Sequence, residues 1–430
     1  MRRGAMKKGL IGAGAVLLVV VVIGYLAGIA YSRHLFMERL DETLVKISVE
    51  SGVAVSKQQV SSGFFSTSMR LVAHLDRFDI GGERSELVVP FTARHGIFST
   101  RLDGQLDLEH VAGDAREALF ADLLSPGRSA EFTASVSHLS ERLKSELRLP
   151  QIDRAGDDRL PAMTLHAGVL RLDGVEGDFD LSGEWQSASF ITSDAQLQFG
   201  PLRFVSRYAG EEDNFHQGDE LTLDRAQIQG ARSLPVTLER INYHGQTSFA
   251  ADNLRYTLAL SVGDASVYQQ RLGSARLSAT LDNLDGAASQ RLLKGLEQGL
   301  SSRRSAAEPF TDWTALVEPH WSDLLTVLAG SPQLTVDELE LETSMLEKPI
   351  HVEGALNFDG RDIAGLEPDA LRAEDGWRPL LSRLYGDFDL DNAPPLVSLI
   401  AGVAPDQSSL NITLDNGTLS INEQPWFKLF

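Results

Sequence analysis

Three patterns of apolar and polar positions follow one another along the chain. Residues 9–31 read GLIGAGAVLLVVVVIGYLAGIAY, without a charged or amide side chain. Coiled as a helix at about 1.5 Å per residue, such a run reaches the thickness of a bilayer hydrocarbon core. Next, in RHLFMERLDETLVKISVESG, Leu35, Leu40, Leu44 and Ile47 recur at helical spacing and Gly52 supplies a stop. That spacing predicts an amphipathic stalk helix over 32–52. From Val53 the period drops to two, as in MRLVAHL, EFTASVSHL, GDFDLSGEW, ELTLDRAQIQG and LRYTLALSV. Alternation of this kind marks strands with one apolar and one polar face.

Turn dipeptides punctuate the alternating region: Asp103-Gly104, Asp173-Gly174, Asp285-Gly286, Asp359-Gly360 and Asn416-Gly417. Such pairs supply the positive φ of two-residue hairpins, so antiparallel neighbours are expected. A helix is expected over 114–125, with Asp114 as its cap and Pro126-Gly127 as its stop. A helical pair is expected over 286–330. Leu292, Leu293, Leu296 and Leu300 mark the first helix. Trp313, Leu316, Val317, Trp321, Leu324, Leu325 and Leu328 form the stripe of the second, which Pro319 kinks or restarts. Short helices are expected near 377–384 and 395–401. The fold class that follows is mainly β with helices (α+β). An extended antiparallel sheet carries a helical pair and stands on a single N-terminal transmembrane helix. The expected parts are a basic tip and anchor at 1–31, the stalk at 32–52, a β region at 53–285, the pair at 286–330 and a second β region at 331–430.

Charge gives this layout a direction. Arg2, Arg3, Lys7 and Lys8 precede the apolar run with no acid among them, so the N-terminus is expected in the cytoplasm and the bulk outside. Gly28 and Ala30 fit a signal-peptide cleavage site. The 23-residue run exceeds an h-region of about 7–15 residues, which favours an uncleaved anchor. Gly24 and Gly28 make the Gly-x-x-x-Gly step of a helix–helix contact, though glycine is common in such helices. Net charge is −21, and the part beyond the basic tip is more acidic still. That balance repels phosphate backbones, so nucleic acid is excluded as a partner. Cysteine is absent, which removes thiol catalysis, disulfides and Cys-based metal sites.

Candidate chemistry is sparse. No nucleophile elbow, Walker loop or His-Glu-x-x-His stretch occurs in the sequence. Asp387, Asp389 and Asp391 resemble the start of a calcium loop, but Asn392 stands where glycine is needed and the alternation puts all three on one strand face. His95-Gly96 and His244-Gly245 are expected at turns rather than as catalytic bases. No catalytic residue, cofactor site or metal site is assigned, and the protein is not expected to be an enzyme.

Several short motifs carry a resemblance. Gly63-Phe64-Phe65-Ser66-Thr67-Ser68 resembles the Gly-aromatic-Phe-Ser-Ser motif of the YdgA-like family of bacterial envelope proteins of unknown function. His95-Gly96 is similar to that family's His-Gly turn, with Ile97 in place of the usual proline. The ending from Asn416 and Gly417 to Asn422 is similar to its closing hairpin, with Glu423 in place of glycine. The resemblance implies a single-pass protein of the bacterial inner membrane facing the periplasm, and no reaction. The expected function is a non-catalytic binding or scaffolding role in the envelope. The alternatives are lipid handling in an apolar β groove, by fold-level analogy with AsmA-like proteins, and hydrolysis of envelope polymers. Expected partners are the inner membrane and either lipid or another envelope protein.

Overall fold

The computed structural model of the chain describes residues 3–51, 53–75, 84–112, 115–118, 129–156, 162–192, 194–211, 213–230, 233–303, 314–368, 377–404 and 406–430. It divides into two compact units. The first comprises Met1–Asp157 and Ala162–Trp185, and the second comprises Asp158–Pro161 and Gln186–Phe430. The fold is mainly antiparallel β with few helices, as the period-two pattern predicts.

In the first unit, helix α1 (Arg3–Ser51) contains both the apolar run and the stalk without a break. Side chains of α1 are described for residues 25–49. Among the described residues no helix is long and apolar enough to cross a membrane. Ile29, Ser32 and Phe36 are buried at helical spacing, which is the face α1 turns to the sheet. That sheet runs through β1 (Val55–Ser62), β2 (Ser66–His74), β3 (Arg84–His95) and β4 (Ser99–Ala112). The far edge of β4 is shared by β5 (Ala115–Ala118) at one end and β6 (Ala130–Ser137) at the other. The ladder continues through β7 (Leu143–Leu149), past the short hairpin of β8 (Ile152–Arg154) and β9 (Ala162–Leu165), to β10 (Gly168–Val175) and β11 (Asp178–Trp185). Phe36, Met69, Phe91 and Ala93 form the core, with Leu40, Leu71, Leu102 and Phe132 against it.

Three expectations change here. The helix over 114–125 is replaced, where described, by β5, which pairs back on β4; Asp114 and residues 119–125 lie outside the described residues. Asp103-Gly104 is not a turn but the middle of β4. A Cβ on Gly104 would stand 2.4 Å from the Phe132 ring and 2.7 Å from Phe91 Cβ. The glycine is therefore there to let two phenyl rings close over the strand. Asp173-Gly174 lies within β10, and its turn falls three residues later, where Gly177 has φ 80°.

The second unit begins with β12 (Ala188–Ile191), β13 (Ala195–Phe199) and β14 (Leu202–Glu211). Both β13 and β14 pair with one edge of β15 (Asn214–Gly230). A meander follows through β16 (Val236–Ala250), β17 (Asn253–Val267) and β18 (Gln270–Leu284). Asp285 then caps helix α2 (Gly286–Arg303), its Oδ1 accepting from Ala288 N at 2.7 Å. Asp285-Gly286 is thus a helix start and not a hairpin. After α3 (Thr314–Val317), Pro319 sits in a 3₁₀ turn, and α4 (Trp321–Ala329) restarts the helix as expected. Strands resume with β19 (Gln333–Thr343) and β20 (Ile350–Phe358). Asp359-Gly360 follows as a loop: Asp359 pairs with Arg361 at 2.7 Å, and Gly360 passes against the carbonyls of Leu328 and Ala329. The chain then forms α5 (Arg378–Leu381), β21 (Leu384–Asp391), α6 (Pro395–Ile400), β22 (Leu410–Asp415), β23 (Thr418–Ile421) and β24 (Gln424–Lys428). Asn416 and Gly417, at φ 46° and 71°, make the predicted tight hairpin between β22 and β23.

Candidate functional site: an uncovered apolar sheet face

Cross-strand register in the second unit aligns one apolar row from β14 to β22. Phe204 faces Leu221, then come Tyr243, Leu260, Leu277, Leu339, Val352, Leu390 and Leu410, each opposite the last. The adjacent row on the opposite face reads Thr222, Asn242, Ser261, Arg276, Glu340, His351 and Asp391. Alternation along each strand thus sorts the sheet into one apolar and one polar side. At roughly 4.8 Å between strands, the apolar row extends about 40 Å, longer than a bilayer hydrocarbon core is thick.

In a two-layer fold such a row would be covered. Here only Leu410 of the row is fully buried; Leu260, in mid-sheet, is 37% exposed, and the rest are half-buried. Among the described residues of this unit, helices cover only the ends of the strands. At one end α2 lies by Ala250, while Trp321 and Leu325 of α4 pack with Phe358, Ile363 and Leu380. Trp321 Nε1–H donates to Leu366 O at 2.8 Å, so this part of the helical stripe is core. Leu316 is buried too; Val317, Leu324 and Leu328 pack at its margin, and Trp313 lies outside the described residues. At the other end Ala393, Leu410 and Ile421 close a small core beside α6. Beside the β17–β18 hairpin, Leu238, Val262, Ala265, Leu272, Ala275 and Leu341 line an apolar depression of about 250 Å³.

One polar spot interrupts the apolar side. Tyr243 lies over Gly245, where a Cβ would meet its hydroxyl at 2.4 Å, and shares a 2.6 Å hydrogen bond with Tyr256. This bond, then burial, pushes the Tyr243 phenol up to about 12. Gln217 donates to Asp219 at 3.0 Å nearby. A few polar groups on an otherwise apolar surface are what orients an amphipathic ligand. His244-Gly245, expected at a turn, is therefore mid-strand, with the glycine making room for Tyr243.

Of the family-like motifs, those at Gly63 and His95 fall in the first unit and the Asn416-Gly417 hairpin in the second. Gly63 N donates to Ser66 O, and Gly96 N to Ser99 O, each at 2.8 Å, so both motifs close tight turns. His95 ends β3 and is buried rather than in a loop. Its Nε2 bonds Thr67 Oγ1 at 3.0 Å and its Nδ1 bonds Thr100 Oγ1 at 3.2 Å. Thr100 Oγ1 also meets His138 Nε2 at 3.0 Å, and that nitrogen meets Ser32 Oγ at 2.6 Å. Burial lowers the pKa of both histidines; Arg33 and then His138 add to the effect at His95. Neutral imidazoles among hydroxyls join α1 to three strands and the β6–β7 turn, which makes this a joint. Nothing in the sequence pattern pointed to Ser32, Thr100 or His138, because the partners are up to 106 residues apart.

The remaining candidates are placed as follows. Arg3, Lys7, Lys8 and Gly24 lie in α1 with their side chains outside the described residues, and Arg2 lies outside the described residues altogether. The Gly28 face is taken by Ile97 of the same chain, 3.2 Å from where a Cβ would stand. Asp387 and Asp389 share a face of β21 and both accept from Asn411 Nδ2, at 2.6 and 3.0 Å. Asn416 and Gly417 form the closing hairpin described above. Phe64 and Phe65 are exposed.

A family model described as bacterial protein of unknown function (DUF945) matches residues 6–398, and the chain belongs to that family. No curated protein and no solved structure matches the chain.

Proposed function

We propose that this member of the DUF945 family is a non-catalytic lipid-handling protein that seats acyl chains on the apolar face of its second unit. The observation that carries the reading is the apolar row from Phe204 to Leu410, half-open to solvent along most of its length. Each methylene moved from water onto such a surface is worth about 0.8 kcal/mol. The Tyr243–Tyr256 pair and Asp219 would face the polar end of the lipid. The apolar run at residues 9–31, with basic residues before it, supports an uncleaved anchor in a bacterial inner membrane with the bulk in the periplasm. Within the family, the motifs at Gly63 and His95 favour the YdgA-like group.

The test is lipid retention. Full-length protein purified from membranes should carry phospholipid detectable by native mass spectrometry. Leu260→Asp with Leu277→Asp, a facing pair at mid-sheet, should lose it while circular dichroism stays unchanged. Equal lipid on both proteins would remove the proposal.

A further inference from the structure

Among the described residues, the exposed aromatics of the first unit cluster at one level of α1. Phe64 and Phe65 cap the β1–β2 turn, their rings edge to face at 5.0 Å, and Phe98 caps the β3–β4 turn. Tyr25 and Tyr31 lie on the helix itself. The two turns are fixed to that level by contacts. Ile97 packs on Gly28, and Arg33 Nη1 donates to Gly63 O at 3.0 Å. His95 N donates to Phe65 O, and His138 N to Phe98 O, each at 2.8 Å. Residues 25–33 span only about 12 Å of helix. Tyr31 is 66% exposed and Phe98 60%, and soluble surfaces rarely gather such side chains in one place.

We infer that this ring of aromatics is a docking surface for the bilayer interface. Immediately N-terminal to it, α1 continues through residues 9–24, which hold no charged side chain. Whatever covers that apolar stretch also meets the turns beside Gly28 and Arg33. A bilayer fits both: lipid tails against the stretch, and aromatic rings at headgroup depth with Arg33 beside phosphate. The Gly-Phe-Phe-Ser and His-Gly turns thereby acquire a role, holding rings outward on a buried joint that keeps the first unit seated on its helix. The inference rests on the anchor proposed above and is independent of lipid binding by the second unit.

The chain has no cysteine, so a single introduced thiol is a unique labelling point. Phe65→Cys, Phe98→Cys and Glu176→Cys in the full chain would each carry an environment-sensitive NBD dye. Glu176 pairs with Lys46 at 2.8 Å, about 20 Å further along α1 from Arg33, and serves as the distant site. Each protein is mixed with vesicles of phosphatidylethanolamine and phosphatidylglycerol and floated on a density gradient. The expected result is flotation with a blue shift and severalfold brighter emission at 65 and 98 and none at 176. Flotation with all three dyes in water overturns the docking surface and leaves the anchor standing. Failure to float removes the anchor and this inference with it. A blue shift at 65 and 98 without vesicles means the aromatics are covered by a second copy, which also overturns it.

Discussion

Replacing Thr100 by valine removes one hydroxyl that both His95 and His138 use. Orphaning buried partners costs roughly 1–3 kcal/mol, so Thr100→Val should unfold at visibly lower urea, with little change in shape. The same joint sets a pH dependence. Burial keeps His95 and His138 below the ordinary histidine range, so the unfolded chain takes up protons that the native chain refuses. Their contribution is full above about pH 6.5 and shrinks as pH falls from there toward the native values. His138→Gln cannot be protonated. Its stability deficit relative to wild type should therefore narrow between pH 7.5 and 5.5 in paired urea titrations, and a constant deficit would contradict the assignment. Gly104 is the steric counterpart: Gly104→Val drives a branched side chain into Phe132 and Phe91. Overpacking of this kind costs about 1–3 kcal/mol, readable as a lower melting temperature.

Among the elements, the α2–α4 pair behaves as core. Trp321→Ala leaves a cavity beside Phe358 and Ile363 and frees the Leu366 carbonyl. The expected loss is roughly 3–5 kcal/mol in a lipid-free thermal melt. A near-neutral melt would contradict the core assignment of this helix. The pair was legible in advance because leucines and tryptophans at helical spacing need a cover, and Pro319 announces the restart. Strands were legible from their period of two. Turn chemistry misled where the same dipeptide served another end. Asn416-Gly417 uses its positive φ, but Asp103-Gly104 uses the missing Cβ and Asp285-Gly286 uses the carboxylate as a cap. A dipeptide states what its backbone permits, and the neighbours that decide which property is used lie elsewhere in the chain. Residues 115–118 read as helix for the same reason: pairing with β4 outweighs a local preference that is worth only tenths of a kcal/mol per residue.

On the scale of the whole molecule, the sequence announces one apolar face per strand and is silent on what covers it. A closed sandwich and an open groove are written with the same alternation. The difference lies in register, which lines Leu260 up with Tyr243 and Leu277, and in helices that stop at the ends of the sheet. The histidine joint was invisible for a like reason, since its members come from α1, β2, β3, β4 and a distant turn. The most direct measurement places a photo-crosslinking amino acid at position 260 or position 261 of the full chain in membranes. These neighbours point to opposite faces of β17. Crosslinking to radiolabelled phospholipid is expected at 260 and absent at 261. Equal capture at both positions, or capture of a protein at 260, would contradict the lipid groove.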